Sequence, residues 1–283
     1  MYQHILIPVD DSLAADRALR VAGGLAARDG ATLTSLPLRA AVGCVMAEWV
    51  SRQARELDAD LIVLAAPRIG RLSSVFAESV GDYLVAHTDV PLLEVPEDPR
   101  PMRPGVVRSR NDFARILVPV DESAESRTIF GPVANLARHG VSQILLLRVI
   151  EQPAPSLQRL LRSNYHEAER DEQAMQTAVA DAYEELTHAA IDLAARSDCD
   201  VDSYVIVSRD VAAAILKFAW TYNVSAIAMA THGSGASLQS RGRVTARLER
   251  ESRLPLLLRR PPSAPWRGRG IPTERASEAI QCS

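Results

Sequence analysis

His4-Ile5-Leu6-Ile7-Pro8-Val9-Asp10-Asp11-Ser12 returns 111 residues later as Arg115-Ile116-Leu117-Val118-Pro119-Val120-Asp121-Glu122-Ser123. Six of the nine positions are identical, and two of the other three are conservative. Each copy is a short apolar run closed by an aspartate and a serine suited to cap a helix, as in a buried parallel strand feeding a helix. Two further blocks repeat. Asp60-Leu-Ile-Val-Leu-Ala-Ala-Pro67 corresponds to Ser225-Ala-Ile-Ala-Met-Ala-Thr-His232 at an offset of 165, and Val90-Pro91-Leu92-Leu93 to Leu254-Pro255-Leu256-Leu257 at 164. The C-terminal copy therefore carries 54 extra residues between the first two blocks and one fewer between the last two.

Strands and helices alternate in both copies. In the C-terminal copy, strands are expected at residues 116–120, 144–149, 201–207, 225–230 and 254–258. Helices are expected from Ser123 to His139, over the polar stretch 157–195, from Asp210 to Tyr222 and over 244–252. Gly131-Pro132 predicts a kink in the first of these helices and Gly140 its stop. The N-terminal copy follows the same plan with strands at 31–38 and a helix over 44–57, but it lacks the long helix and the strand after it. If that strand lies at the sheet edge, its deletion leaves the other right-handed crossovers intact. The fold class is α/β: two doubly wound parallel-sheet domains in tandem, four-stranded and then five-stranded.

Proline marks the boundary. Pro96-Glu-Asp-Pro99-Arg-Pro101-Met-Arg-Pro104-Gly105 suits a stiff spacer, which gives a truncated domain over 1–95, a linker over 96–112 and a complete domain over 113–260. Residues 261–283, rich in Pro, Gly, Ser and Arg, read as a disordered, solubilising tail. The 283 residues are 47% hydrophobic and 24% charged, with a net charge of −3, so the balance recruits neither nucleic acid nor an anionic membrane. No apolar stretch reaches the ~18 residues of a membrane span, and no signal peptide precedes the first strand. Cys44, Cys199 and Cys282 suit neither a disulfide framework nor a metal site. The chain reads as cytoplasmic.

Open α/β sheets bind ligands at the carboxyl ends of their strands, where strand order reverses. That rule sets Asp10 or Asp121 beside the loop after the fourth strand. In the C-terminal copy this loop holds Met229-Ala230-Thr231-His232-Gly233-Ser234-Gly235 and ends in Arg241-Gly242-Arg243-Val244. Glycines, hydroxyls and arginines precede a helix N-terminus, whose free amides and positive dipole attract phosphate. A flexible glycine loop with exposed arginines has the same composition, and chemistry alone does not separate the two.

These residues make the chain resemble a tandem universal stress protein over residues 4–95 and 114–260. The resemblance rests on the Pro-Val-Asp-x-Ser start of both halves, the Ala-Thr-His-Gly loop and the final strand with Pro-Leu-Leu. In ATP-binding members of that family the loop runs Gly-x-x-Gly, nine residues, then Gly-Ser or Gly-Thr. The aspartate ending the first strand contacts adenine, while glycine amides and the hydroxyl hold ribose and phosphates. The resemblance therefore implies adenine against Asp121, Val149 and Met229, with phosphates over Gly233, Gly242 and Arg243. Pro119, Ala230 and Val244 complete the implied site. The family's pairing through the final strand implies an intrachain pseudo-dimer joined near Pro91–Val95 and Pro255–Leu258, with a further homodimer left open.

The departures from the pattern shape the functional reading. Ala230 replaces the first glycine, the spacer is eight residues, and Arg243 stands in place of the hydroxyl. A methyl then enters where backbone should approach the ligand, and Arg243 offers a bidentate phosphate contact instead. The N-terminal copy reads Ala65-Ala66-Pro67-Arg68 and then Glu78-Ser79. Pro67 removes an amide donor and Glu78 repels phosphate, so this half is expected to hold no nucleotide. Ser12 and Ser123 read as caps, Trp49 and Trp220 as packing residues, and His166-Glu167-Ala-Glu169 as a solvated helix face without zinc spacing. The expected function is a regulatory, non-catalytic stress-response role with an unidentified protein partner and a degenerate nucleotide site for ATP. The alternative is an ATP-binding switch or slow ATPase. An adenylate-forming enzyme is disfavoured, because Asp-Asp-Ser and Asp-Glu-Ser stand where such enzymes carry a Ser-Gly-Gly-x-Asp-Ser type loop.

Overall fold

The computed structural model describes residues 1–10, 12–38, 43–66, 80, 81, 83–85, 87–97, 113–138, 140, 141, 143–152, 165–231 and 242–261. The first half holds β1 (His4–Val9), α1 (Leu13–Asp29), β2 (Thr32–Pro37), α2 (Gly43–Glu56), β3 (Leu61–Ala66) and β4 (Leu92–Pro96). Residues 80, 81, 83–85 and 87 are helical. The second half holds β5 (Arg115–Val120), a 3-10 turn (Glu125–Ile129), α3 (Phe130–Ala137), β6 (Gln143–Glu151), α4 (Tyr165–Ser197) and β7 (Asp200–Ser208). It continues through α5 (Val211–Thr221), β8 (Ala226–Ala230), α6 (Arg243–Glu251) and β9 (Leu256–Arg259). The spacer over 98–112 and the tail from 262 lie outside the described residues.

Among the described residues one sheet runs through both halves, in the order β2-β1-β3-β4-β9-β8-β5-β6-β7. Neighbours within each half are parallel, and β4 meets β9 antiparallel, with Leu92 opposite Leu258 and Leu93 opposite Leu257. Mirrored about that seam, the halves share a plan, except that β7 extends the second half at the outer edge. The helix–strand unit missing from the first half is thus an edge unit, and its absence breaks no internal pairing.

Alternation along the strands sorts side chains to two faces. Ile5, Ile7, Leu93, Ile116, Val118, Ala228 and Leu257 contribute to one core together with residues of α1, α3 and α4. Leu6, Ile62, Leu92, Leu117, Ile227, Leu256 and Leu258 contribute to the other with residues of α2, α5 and α6. Each core spans both halves. Trp49 packs against the second core, whereas Trp220 is 43% exposed and is not the packing residue expected from the sequence.

Both serine caps form, but the helices they begin differ. Ser12 accepts from the Ala15 N–H at 3.2 Å and starts α1, which ends at Gly30 with φ 68°. Ser123 accepts from the Ser126 N–H at 3.1 Å and starts a 3-10 turn, so the helix expected from Ser123 to His139 is α-helical only over Phe130–Ala137. Pro132 has no N–H to donate back to Thr128, and the tighter turn before it avoids that missing bond. Gly140 takes φ 83° just beyond this helix.

Candidate site at the carboxyl edge of the second half

Strand order reverses between β5 and β8: the chain leaves β5 to one side for β6 and β7, then returns to its other side for β8 and β9. That is the crevice where doubly wound sheets take ligands. The register fixes what meets there. Val120 lies opposite Arg148, and the β5–β8 pairing runs at a constant offset of 110 from Ile116 with Ala226. Continued past the paired residues, by one position toward β6 and by four toward β8, these registers set Asp121 level with Val149 and Thr231. Pro119 lies opposite Leu147, and the same offset sets it level with Met229.

The apolar residues of this group converge on one face. Val149 and Val244 pack against the core that includes Leu117, Met229 and Leu258, on the side covered by α5 and α6. Pro119, two residues after Leu117, is buried and turns to the same face. Ala230 follows Met229, so its side chain turns to the opposite face, beneath the 3-10 turn, where it is 7% exposed. Its methyl therefore points away from the α6 side of the crevice rather than into it.

Asp121 and the two serines after it form a closed network. The Ser123 amide donates to Asp121 Oδ1 at 2.9 Å, and the Ser123 hydroxyl donates to the same oxygen. The Ser126 hydroxyl lies 3.2 Å from the Asp121 carbonyl and 2.8 Å from the Ser123 carbonyl. This locks the aspartate at the strand end. Beside it, Arg148, whose side chain is only 12% exposed, pairs with Glu122. Asp10 in the first half repeats the turn in simpler form, accepting from the Ser12 amide at 3.1 Å.

The far wall is the start of α6. Gly242 is its N-cap residue and makes no side-chain cap bond, and no acidic residue occupies the first turn. The helix therefore opens with backbone amides and the exposed Arg243. Thr231, fully buried, closes the base of the loop: its carbonyl accepts the Gly242 N–H at 3.0 Å and the Thr245 hydroxyl at 3.4 Å. Its own N–H donates to the Arg259 carbonyl at 3.0 Å. Sequence reasoning treated Thr231 as part of the loop motif and gave it no role; a hydroxyl-bearing residue directly after an all-apolar strand was the available signal.

Gly233 lies outside the described residues, as do Pro67, Arg68, Glu78 and Ser79 of the first-half loop. The side chains of His166, Glu167 and Glu169 are likewise outside them. Among the described residues no group of His, Cys, Asp and Glu is placed to hold a metal ion. No described helix is long and apolar enough to cross a membrane.

Comparison with known proteins agrees with this architecture. A family model described as the universal stress protein family matches residues 1–38, 39–96 and 112–260. A universal stress protein from Archaeoglobus fulgidus superposes with a TM-score of 0.54 and 14% identity over 91% of this chain and 98% of its own. A protein from Pseudomonas aeruginosa described as a universal stress protein gives 0.55 and 13% over 92% and 94%. No curated protein matches the chain in sequence.

Proposed function

Since the chain belongs to the universal stress protein family, we propose that it is a regulatory, non-catalytic protein of the stress response whose second half keeps a degenerate adenine-nucleotide site. The observation that carries this reading is the uncapped start of α6 facing the Asp121 strand end across the β5–β8 crevice. Adenine fits the apolar row Pro119, Val149 and Met229, with Asp121 at its edge. Phosphate fits the first amides of α6, with the Arg243 guanidinium as a charged partner. The group would supply charge and shape at this edge rather than a reacting bond. Ser123 and Ser126 are committed to the Asp121 network, which argues against either as a nucleophile. The first half acts as a structural or partner-binding half.

Native mass spectrometry of the gently purified full chain, followed by titration with ATP and adenosine, tests the reading. A bound adenine nucleotide, or ATP binding that Arg243→Ser weakens more than adenosine binding, supports the site. Equal effects on both ligands remove Arg243 from it. Release of phosphate from ATP in proportion to protein favours the alternative, a switch or slow ATPase, and overturns the non-catalytic assignment.

A further inference from the structure

Among the described residues, the outer edge of the second half is unprotected in a way the opposite edge is not. Ser208 accepts at its carbonyl from the N–H of Gln152, the residue just after β6, 2.9 Å away. Backbone groups of successive strand residues point to alternate sides, so Val201, Ser203, Val205 and Val207 direct both N–H and C=O away from the sheet. No described strand pairs with that side. β7 is nine residues long, and from Ser203 to Ser208 it holds no charge and no proline. The other terminal strand, β2, is six residues long and ends in Pro37, which blunts it.

Apolar surface continues from β7 onto its neighbour. Val207 is 41% exposed, and on α4 Tyr183 and Ile191 are 54% and 65% exposed. Between the helix and the strand a cavity of about 650 Å³ opens at this edge, lined by Val179, Ala180, Tyr183, Ser203 and Val205 among others. The ends of the strand carry opposite charge. Asp198 and Asp200 flank its start and Arg209 follows its end, all three exposed and without ion pairs among the described residues.

We propose that β7 is a homodimer interface at which two copies pair antiparallel about a twofold axis through Tyr204. In that register Ser203 faces Val205 and Val201 faces Val207, so every outward-pointing residue of the strand meets another one. The same register sets Arg209 of one copy opposite Cys199, between Asp198 and Asp200, twice over by symmetry. Charge and backbone are therefore both self-complementary. The paired α4 helices bring Tyr183 and the cavity of one copy against those of the other. The protein already uses this geometry internally, where β4 and β9 join antiparallel at the seam.

The test uses the full chain with Cys44, Cys199 and Cys282 replaced by serine. Sedimentation is expected at twice the 30.8 kDa chain mass. Tyr204→Cys is expected to cross-link to itself under mild oxidation, since facing residues at a non-hydrogen-bonded position lie about 4.5 Å apart between Cα atoms, within disulfide range. Val207→Cys, which faces Val201, is expected not to. Arg209→Glu should raise the dimer dissociation constant about tenfold, and adding Asp200→Arg should restore it, a pair that stands if the Tyr204 variant fails to fold. A monomer at all concentrations overturns the proposal. So does a dimer that ignores both Arg209→Glu and Tyr204→Cys, or an open-ended oligomer.

Discussion

The phenol of Tyr2 donates a hydrogen bond to the carbonyl of Pro132, 3.3 Å away and 130 positions along the chain. Tyr2 is 2% exposed, just before the first strand of one half, and Pro132 lies in α3 of the other. Between them they join the two halves through the core that also holds Phe113, Ile129 and Phe130. Tyr2→Phe should cost about 1 kcal/mol, the net worth of one buried hydrogen bond. Tyr2→Ala should cost about 3–5 kcal/mol, in the range of large-to-small core changes. Because both cores cross the seam, chemical denaturation of the whole chain should show one transition. Residues 1–95 expressed alone should show no cooperative transition.

Burial, reinforced by the charges of Asp60 and Asp29, raises the Tyr2 phenol above its ordinary value. A raised folded value means that the neutral form is favoured by folding. Its stabilisation is complete below the unfolded value near 10 and is lost as pH rises beyond it. Alkaline titration of stability should therefore fall more steeply above pH ~10 for the wild type than for Tyr2→Phe.

Gly242 tests the closure of the candidate loop. Its φ of −52° and ψ of 139° suit any residue, so the need for glycine is one of space. A Cβ there would stand 3.1 Å from the Thr231 carbonyl oxygen, which is backbone and already accepts the Gly242 N–H and the Thr245 hydroxyl. Gly242→Ala should destabilise by about 1–3 kcal/mol, as overpacking does, and should weaken ATP binding where the wild type shows it.

Asp210 accepts the Ala213 N–H at 3.0 Å as the cap of α5 and holds Arg247 of α6 through both carboxylate oxygens at 2.6 Å. Arg247 also reaches Glu251 at 2.9 Å. The Arg247 hydrogen bond is the largest influence holding both carboxyls below the usual range. Stabilisation from a lowered carboxyl is present above the unfolded value near 4 and is lost as pH falls through the folded one. Asp210→Ala should lower the melting temperature more than Asp210→Asn, which keeps a capping oxygen. The loss in either variant relative to the wild type should shrink as pH falls below 4 and in high salt.

His87 makes the complementary test near neutrality. Its ring stacks on Tyr83 at 3.6 Å, and Nδ1 lies 2.8 Å from the Tyr83 carbonyl, which makes it the nitrogen carrying the proton. Burial lowers its value, with Arg260 of the other half adding to that; the Tyr83 carbonyl and Glu48 oppose. Stability should be full above pH ~6.5 and decline as pH falls below it, and His87→Gln should remove that decline.

Much of this was legible in the sequence, because a repeated Pro-Val-Asp-x-Ser block fixes two strand ends and a length difference fixes which unit one half lacks. The edge position of that unit was the condition for a clean deletion, and the strand order meets it; the Ser12 and Ser123 caps followed from residue type. Other features were hidden because they depend on contacts between distant residues. Nothing near Glu125–Ile129 announces a 3-10 turn except Pro132 downstream. Ala230 looked obstructive in the motif, and only the pleat shows that its methyl turns to the other face. Tyr2 carries no local signal of its partner in α3. At the crevice, residue types were readable, but their shared level along the sheet came from register.

The antiparallel seam has a consequence for traffic around the molecule. Every strand of the first half runs opposite to every strand of the second. The Asp10 strand end and the Asp121 strand end therefore face away from each other, separated by the depth of the sheet, about 20 Å for six-residue strands. Anything seated at one end leaves the other open, so a small molecule and a protein need not compete for space. Each half therefore presents its strand ends on its own margin of the sheet, and a change at one margin leaves the geometry of the other untouched.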